Sequence, residues 1–386
     1  YVCLSIFSFP SDMVYFILHD RKSFVWCRSM LFLFFCGIYD AVCLQQNKMR
    51  ELVGGGKSMK EIENPIFKEP MAWYALRLKD HASRMNSQSG GALFALARHV
   101  IDLNGVVYGC VYEGFDVIHT RITSEEEISR LRGSKYVQSN MKSCFREVYK
   151  DLQNNKVVLF TGTPCQCAGI ITYIQATGIS TSNLFTCDFI CHGVPSPKVY
   201  YDYLRFMEKK SGKKLSKINL RDKKEAGWHN HVETISFEDG TKYIGKLYVN
   251  LFYSNFALRR SCEVCRFTRV ERVADITVSD CWGIEKTRPD LWNDNEGISM
   301  ALIQTEKGRA LFEAVLADDY VEVVELSKKE LLQPQMQHPS PVPYQKERFW
   351  DDYSKYSFEK ILRKYTEYGG IPFKAKRKLL KILKRW

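Results

Sequence analysis

The stretch KVVLFTGTPCQCAG, residues 156–169, decides how this chain is read. An apolar, β-branched run ends in Gly162-Thr163-Pro164, and a helix-like segment carrying Cys165 and Cys167 follows at once. NLFTCDFICHGVPSP, residues 183–197, repeats the plan: an apolar run, then Cys191, then a Gly/Pro turn into SPKVYYDYLRFMEKK. Pro197 suits the first turn of that helix, where a missing N–H costs nothing. Two apolar strands, each followed by a helix, predict neighbouring parallel strands. In an open α/β sheet, ligands bind outside the carboxyl ends of the strands. Cys165 and Cys191 both fall there, and a thiolate near a helix start is stabilised by oriented N–H groups.

Further along, Cys262 and Cys265 form a C-x2-C turn that can aim two sulfurs at one metal or cluster. The chain holds thirteen cysteines, an odd number, so complete pairing into disulfides is impossible. Nothing resembles the dense cysteine framework of a small secreted domain, and ligation by some of them is the better reading. Cys187 lies inside its strand and reads as core, Cys167 points elsewhere than Cys165, and Cys110 and Cys144 read as buried. Cys281, after the strand-like ADITVSD, is the runner-up ligand. SQSGG, residues 87–91, opens a helix where glycines would let a phosphate approach backbone N–H groups; a plain capped helix accounts for it as well. GGGKS at 54–58 resembles the end of a phosphate loop, but Glu51 stands where its first glycine belongs and no clean strand precedes it. His229 and His231 are read on one face of a strand and most simply as ordinary histidines. His192, beside Cys191, could donate a hydrogen bond to a bound group.

The rest fills in an α/β plan. ALFALARHVIDL has helical spacing, GVVYGCVYE and FDVIHTRI form a strand pair around Gly114, and residues 140–152 read as a helix. HVETISFEDGTKYIGKLY alternates around Asp239-Gly240, a hairpin signal. The fold class is therefore α/β: a mixed, partly parallel sheet with flanking helices and an added β-hairpin region. At 386 residues with 45% hydrophobic content, the chain can bury a large core. Residues 63–70 read as a linker. Residues 24–44 are apolar for about one bilayer span but are interrupted by Arg28 and Asp40, a marginal transmembrane signal.

These motifs together resemble the coenzyme F420 hydrogenase/dehydrogenase beta subunit family. The carriers are RMNSQSGG, GVVYGCVYEGF, LRGSKYVQS, VLFTGTPCQCAG, CDFICHGVPSP, RDKKEAGW, SCEVCRF and ADITVSDCWGIEK, spread from about 70 to 316. The resemblance implies an FAD and [4Fe-4S] oxidoreductase that moves electrons between the cluster, FAD and an organic hydride carrier, coenzyme F420 or another acceptor. It implies cluster ligands at Cys165, Cys191, Cys262 and Cys265, and a flavin pocket at Ser87, Ser89, Gly90, Gly91, Lys135 and Thr163. A cation beside a flavin favours its reduced, anionic form, which gives Lys135 a rationale. No general acid or base is named. The implied parts are an irregular segment at 1–65, read as a decayed ferredoxin-like region or misassigned coding sequence, a flavin-binding part at 66–152, an iron–sulfur part at 153–325 and a helical extension at 326–386. Four cysteines precede the core without ferredoxin spacing, so electrons are expected from a separate ferredoxin or hydrogenase/dehydrogenase subunit. Relatives encoded among surface-polysaccharide genes make another acceptor plausible. VSDCWG departs from the Gly-Asp-Phe-Trp-Gly text common in relatives.

A structural zinc site of four cysteines in a non-redox scaffold or binding protein is the alternative. The net charge of +12 is uneven: residues 374–386, KAKRKLLKILKRW, carry seven Lys/Arg and no acid. Nucleic-acid binding is accordingly not expected. A cytoplasmic protein is expected, and this basic amphipathic tail could lie on the inner membrane surface or dock its leucines on the body. A membrane role predicts that deleting 374–386 abolishes sedimentation with anionic vesicles and leaves any cofactor bound; a truncated chain that sediments as before excludes it.

Overall fold

The computed structural model describes residues 4–8, 14–18, 66–291 and 294–368. By themselves, β1 (Leu4–Ser8) and β2 (Val14–Leu18) pair antiparallel. The 24–44 apolar run, the 54–58 glycines and the basic tail lie outside the described residues. Among the described residues, no helix is long and apolar enough to cross a membrane.

From residue 66 onward the chain builds an eight-stranded sheet in the order β13-β3-β12-β11-β7-β6-β4-β5. Its centre is parallel: β4 (Val106–Glu113), β6 (Val158–Gly162), β7 (Leu184–Phe189) and β11 (Ile276–Asp280) run the same way. On one side β5 (Asp116–Ile122) turns back on β4; on the other, β12 (Ser299–Ile303), β3 (Ala72–Leu78) and β13 (Val321–Glu325) continue antiparallel. Strands from both 66–152 and 153–325 thus share one sheet.

Central parallel strands are covered on both faces, so β6 is buried along its whole length. Side-chain alternation sorts the two faces. Val106, Tyr108, Val158 and Phe160 pack with the helices Cys144–Gln153 and Pro164–Thr177. Val107, Leu159, Cys187 and Ile276 pack with Ala92–Asp102 and Glu306–Ala317. Cys187 is a core residue, as expected, and Cys167 is fully buried on the helix behind Cys165. The Asp239-Gly240 hairpin forms as read, between β9 (Glu233–Phe237) and β10 (Lys242–Gly245), and β8 (Leu215–Asn219) extends it to a separate three-stranded antiparallel sheet.

Three local readings change. The 140–152 helix starts at Cys144, because Asn140 is spent bridging to β5. His229 and His231 lie in the loop before β9, not on a strand. Residues 67–68 are docked: Lys68 exchanges both backbone hydrogen bonds with Arg272, and Phe67 packs on Phe267 with rings 5.8 Å apart.

Arg272 anchors this region. Its guanidinium donates to the carbonyl of Phe267 at 2.7 Å and to Asp188 Oδ2, in β7, at 3.1 Å. Thr277 Oγ1, in β11, donates to the other Asp188 oxygen at 2.5 Å. Both charged side chains are cut off from solvent, at 1% and 0% exposure. Removing one partner of such a pair strands the other charge, so Arg272→Met is expected to cost about 3–5 kcal/mol in denaturant unfolding. Loss below about 1 kcal/mol would show that the pair carries no more weight than a surface ion pair.

Candidate functional site

The carboxyl ends of β6, β7 and β11 lie side by side, and each delivers chemistry-bearing residues. After β6, Thr163 caps the Pro164–Thr177 helix in a capping box with Gln166, with Pro164 in its first turn. This places Cys165 one residue later, its Sγ 3.1 Å from Thr163 Oγ1. After β7, the chain reaches Cys191, whose Sγ accepts from Gly193 N–H at 3.4 Å. Gly193 has φ +113°, and a Cβ there would sit 3.3 Å from the Cβ of Cys262. Glycine therefore lets the Cys191 loop lie against the C-x2-C loop. Residues 194–196 and 257–259 hold that approach by backbone bonds, Arg259 N–H to Val194 O and Ser196 N–H to Ala257 O. The Cys265 carbonyl accepts from Thr268 Oγ1 at 2.7 Å, which holds the turn after the C-x2-C pair.

The four thiols are electrostatic neighbours. Burial pushes the Cys165 thiol up, and Cys262 and Cys265 add to that; the Thr163 hydroxyl and Arg259 oppose it. Cys191 is pushed up by burial, then by Cys262 and Cys165. Cys265 is raised by burial and by Cys262, and the nearby backbone of Phe267 and Thr268 opposes this. Thiols that discourage one another's ionisation in this way become ligands once a positive metal centre is bound, which deprotonates them. Among the described residues, no three His, Cys, Asp or Glu side chains close on one point as ligands of a single ion would. Cys281 stands apart, fully buried beside Trp73, Trp228 and Met300, its thiol pushed up to about 12 by burial. Its neighbourhood is a packing one.

The SQSGG loop and the GSKYVQS loop meet at the same end of the sheet, where Ser134 N–H donates to Gln88 Oε1 at 3.0 Å. Ser87 Oγ donates to Ser83 O and Ser89 Oγ to Ile298 O. A Cβ on Gly90 would fall 2.4 Å from Leu76 O and 2.5 Å from Ser299 N, so this loop rests directly on β3 and β12. Gly91 is the N-cap of Ala92–Asp102. The glycines are thus required by packing, whatever else they meet.

Lys135 is buried, and its ammonium donates to the carbonyls of Leu131 and Arg132 at 3.0 and 2.9 Å. Burial lowers it from 10.5 to about 8. Its neighbour Tyr136 holds φ +42°, unusual for a bulky residue and a mark of a loop held by its surroundings. Gln166 ties this loop to the cysteine side: its Oε1 accepts from Thr163 N–H and its Nε2 donates to Ser139 Oγ at 2.9 Å. Ser139 then meets His119 Nδ1 at 2.7 Å, and His119 Nε2 lies 3.0 Å from Thr161 O. A carbonyl only accepts, so Nε2 carries the proton and Nδ1 accepts. Burial brings His119 down to about 4 and keeps it neutral.

A second group of residues lies between these loops, and sequence reasoning did not assign it. Arg221 pairs with Asp280, at the end of β11, at 2.6 and 3.2 Å. Trp228 Nε1 donates to the same carboxylate at 2.5 Å and stacks on Trp282, with rings 4.8 Å apart and 7° from parallel. Lys223, buried and lowered to about 8 mainly by desolvation, donates to the carbonyls of Arg84, Ser89 and Glu296. Rings continue from there to the cysteines: Trp282 to His231 at 5.5 Å, His231 to Tyr253 at 5.3 Å, Tyr253 to His192 at 5.2 Å. His231 Nε2 and Gln88 Nε2 are buried without a hydrogen-bond partner among the described residues. The signal lay in RDKKEAGW and SDCW, whose charges and rings pair only across the fold.

Residues 155–329 match the model for the C terminus of the beta subunit in coenzyme F420 hydrogenase/dehydrogenase. The chain is 23% identical over 274 residues to the F420-dependent formate dehydrogenase subunit beta of Methanocaldococcus jannaschii. That alignment covers 67% of this chain and 63% of the relative, so the chain spans less than two thirds of the relative's length. It is also similar to a chain of the F420-reducing [NiFe] hydrogenase complex from Methanosarcina barkeri, with TM-score 0.47, 16% identity, and coverage of 80% of this chain and 97% of that one.

The buried lysine gives a pH test. Between about 8 and 10.5 the unfolded chain keeps the Lys135 proton and the folded chain has released it. Folding then expels a proton, and this group adds stability as pH rises through that window. Relative to Lys135→Met, the wild type should gain about 2–3 kcal/mol over it in denaturant unfolding. A constant difference between the two proteins would show that Lys135 titrates normally.

Proposed function

We propose that this protein is a flavin and iron–sulfur oxidoreductase subunit. In this reading Cys165, Cys191, Cys262 and Cys265 would hold a [4Fe-4S] cluster, with 153–325 as the iron–sulfur part. Ser87, Ser89, Gly90, Gly91, Lys135 and Thr163 would line an FAD site, with 66–152 as the flavin-binding part. The observation that carries the reading is the convergence of the Cys165, Cys191 and C-x2-C loops with the SQSGG and GSKYVQS loops at one end of the sheet. Two of the thiols, Cys165 and Cys191, already meet a hydroxyl or N–H group, and such contacts tune the charge and orientation of a bound centre.

When bound, such a pair of cofactors exchanges a hydride at the flavin and single electrons at the cluster. The protein's part is to position and tune. Lys135 places a cation, held by carbonyls, next to the loop that Ser134 joins to Gln88. The rings of His192, Tyr253, His231 and Trp282 run in contact from the Cys191 loop toward the Trp228–Asp280 group. The organic partner would be a hydride carrier, coenzyme F420 or another acceptor, and the protein partner a hydrogenase or dehydrogenase subunit or a ferredoxin.

Anaerobically purified full-length protein should contain about four iron, four sulfide and one FAD per chain. Cys165→Ser and Cys262→Ser should each remove most of the iron. Colourless protein with one zinc and no flavin would overturn the proposal and favour the scaffold.

A further inference from the structure

Residues 339–349 lie beyond the part matched to the family, yet they contact both loops that carry candidate ligands. Ser340 is buried, and its Oγ donates to the carbonyl of His192, next to Cys191, at 2.6 Å. Asn255 joins the same junction: its Nδ2 donates to Pro341 O at 3.0 Å, which leaves its Oδ1 to accept from His192 Nε2 at 2.7 Å. Six residues on, Lys346 is buried and forms an ion pair at 2.5 Å with Glu263, which sits between Cys262 and Cys265. Phe349 is fully buried and stacks on Phe256, rings 5.5 Å apart and 16° from parallel. One short stretch is therefore fastened to the CHG loop, to the C-x2-C loop and to the segment joining them.

The weights differ. Arg260 and Glu347 also pair, at 2.8 Å, but both are three-quarters exposed and contribute little. Lys346 Nζ and Glu263 Oε1 meet at 2.5 Å by charge attraction, without hydrogen-bond alignment, so the contact acts as an electrostatic tether on the C-x2-C loop. A hydroxyl donating to the carbonyl beside Cys191 likewise restrains that loop.

Resting on the cofactor reading above, we propose that Ser340 and Lys346 are positioning residues of the cysteine site. Ser340 holds the Cys191 loop and Lys346 holds the Cys262–Cys265 loop, so that the four thiols keep the spacing a cluster needs without the metal being there to gather them.

The test uses the full chain, apo and reduced, with site-resolved alkylation by iodoacetamide read by mass spectrometry. Ser340→Ala should speed alkylation of Cys191 about tenfold, and Lys346→Met that of Cys262 and Cys265 about tenfold, as expected for easier local opening. Cys144, buried in the core, should be unchanged and serves as the gauge of global stability. Lys346→Arg, which keeps the charge, should restore the slow rates. After reconstitution with iron and sulfide, Lys346→Met should show an altered electron paramagnetic resonance spectrum of the reduced protein, and Lys346→Arg the wild-type one. Unchanged alkylation in both variants, an equal rise at Cys144, or no rescue by arginine would overturn the clamp. If the wild type takes up no iron, the cofactor reading falls, and the alkylation rates still decide the clamp.

Discussion

The buried pair of Asp188 and Arg272 is the contact on which the site's geometry rests. Two charges removed from water are tolerated only when each is satisfied from several sides. Asp188 meets that demand with Arg272 and Thr277, and Arg272 with Asp188 and the carbonyl of Phe267. The consequence is spatial: the end of β7, the strand β11 and the loop just after Cys265 cannot move independently. Lys68 adds a backbone bridge to Arg272 from the start of the described core. The Cys265 loop, which has little regular structure, therefore gains a fixed origin from a neighbouring strand.

From that origin the site spreads along the sheet edge. Parallel strands end in loops that must satisfy their own backbone groups, and here they do so with one another. Gln166 spans from Thr163 to Ser139, and Gly193 allows the Cys191 loop to reach the Cys262 loop. Desolvation dominates the electrostatics throughout: it raises the thiols and lowers Lys135, Lys223 and His119. A protein that keeps so many ionisable groups in a disfavoured environment at one end of its sheet sacrifices stability there, as functional sites commonly do.

Much of the architecture was legible. Strand and helix types followed from periodicity and from Gly and Pro punctuation around Gly162, Gly114 and Asp239-Gly240. Cys187 read correctly as core because an apolar strand leaves a small thiol no other place. The Asn140 boundary failed because a bridge to β5, rather than helix propensity, sets the backbone there. The linker reading of 63–70 failed at 67–68 for a similar reason: a polar, proline-containing stretch can still dock if one aromatic residue finds a partner, as Phe67 finds Phe267. The aromatic and charged group around Asp280 had residues in view but no visible partners.

By itself, then, the sequence determined which segments become strands and helices, and that Cys165 and Cys191 emerge at strand ends, because those features depend on neighbours within a few residues. Only the tertiary structure decided that Arg221 would pair with Asp280 across 59 residues, Arg272 with Asp188 across 84, and Ser340 with the His192 carbonyl across 148. Such contacts are chosen by burial and by the need to satisfy every desolvated polar group, conditions that exist only once the chain has closed on itself.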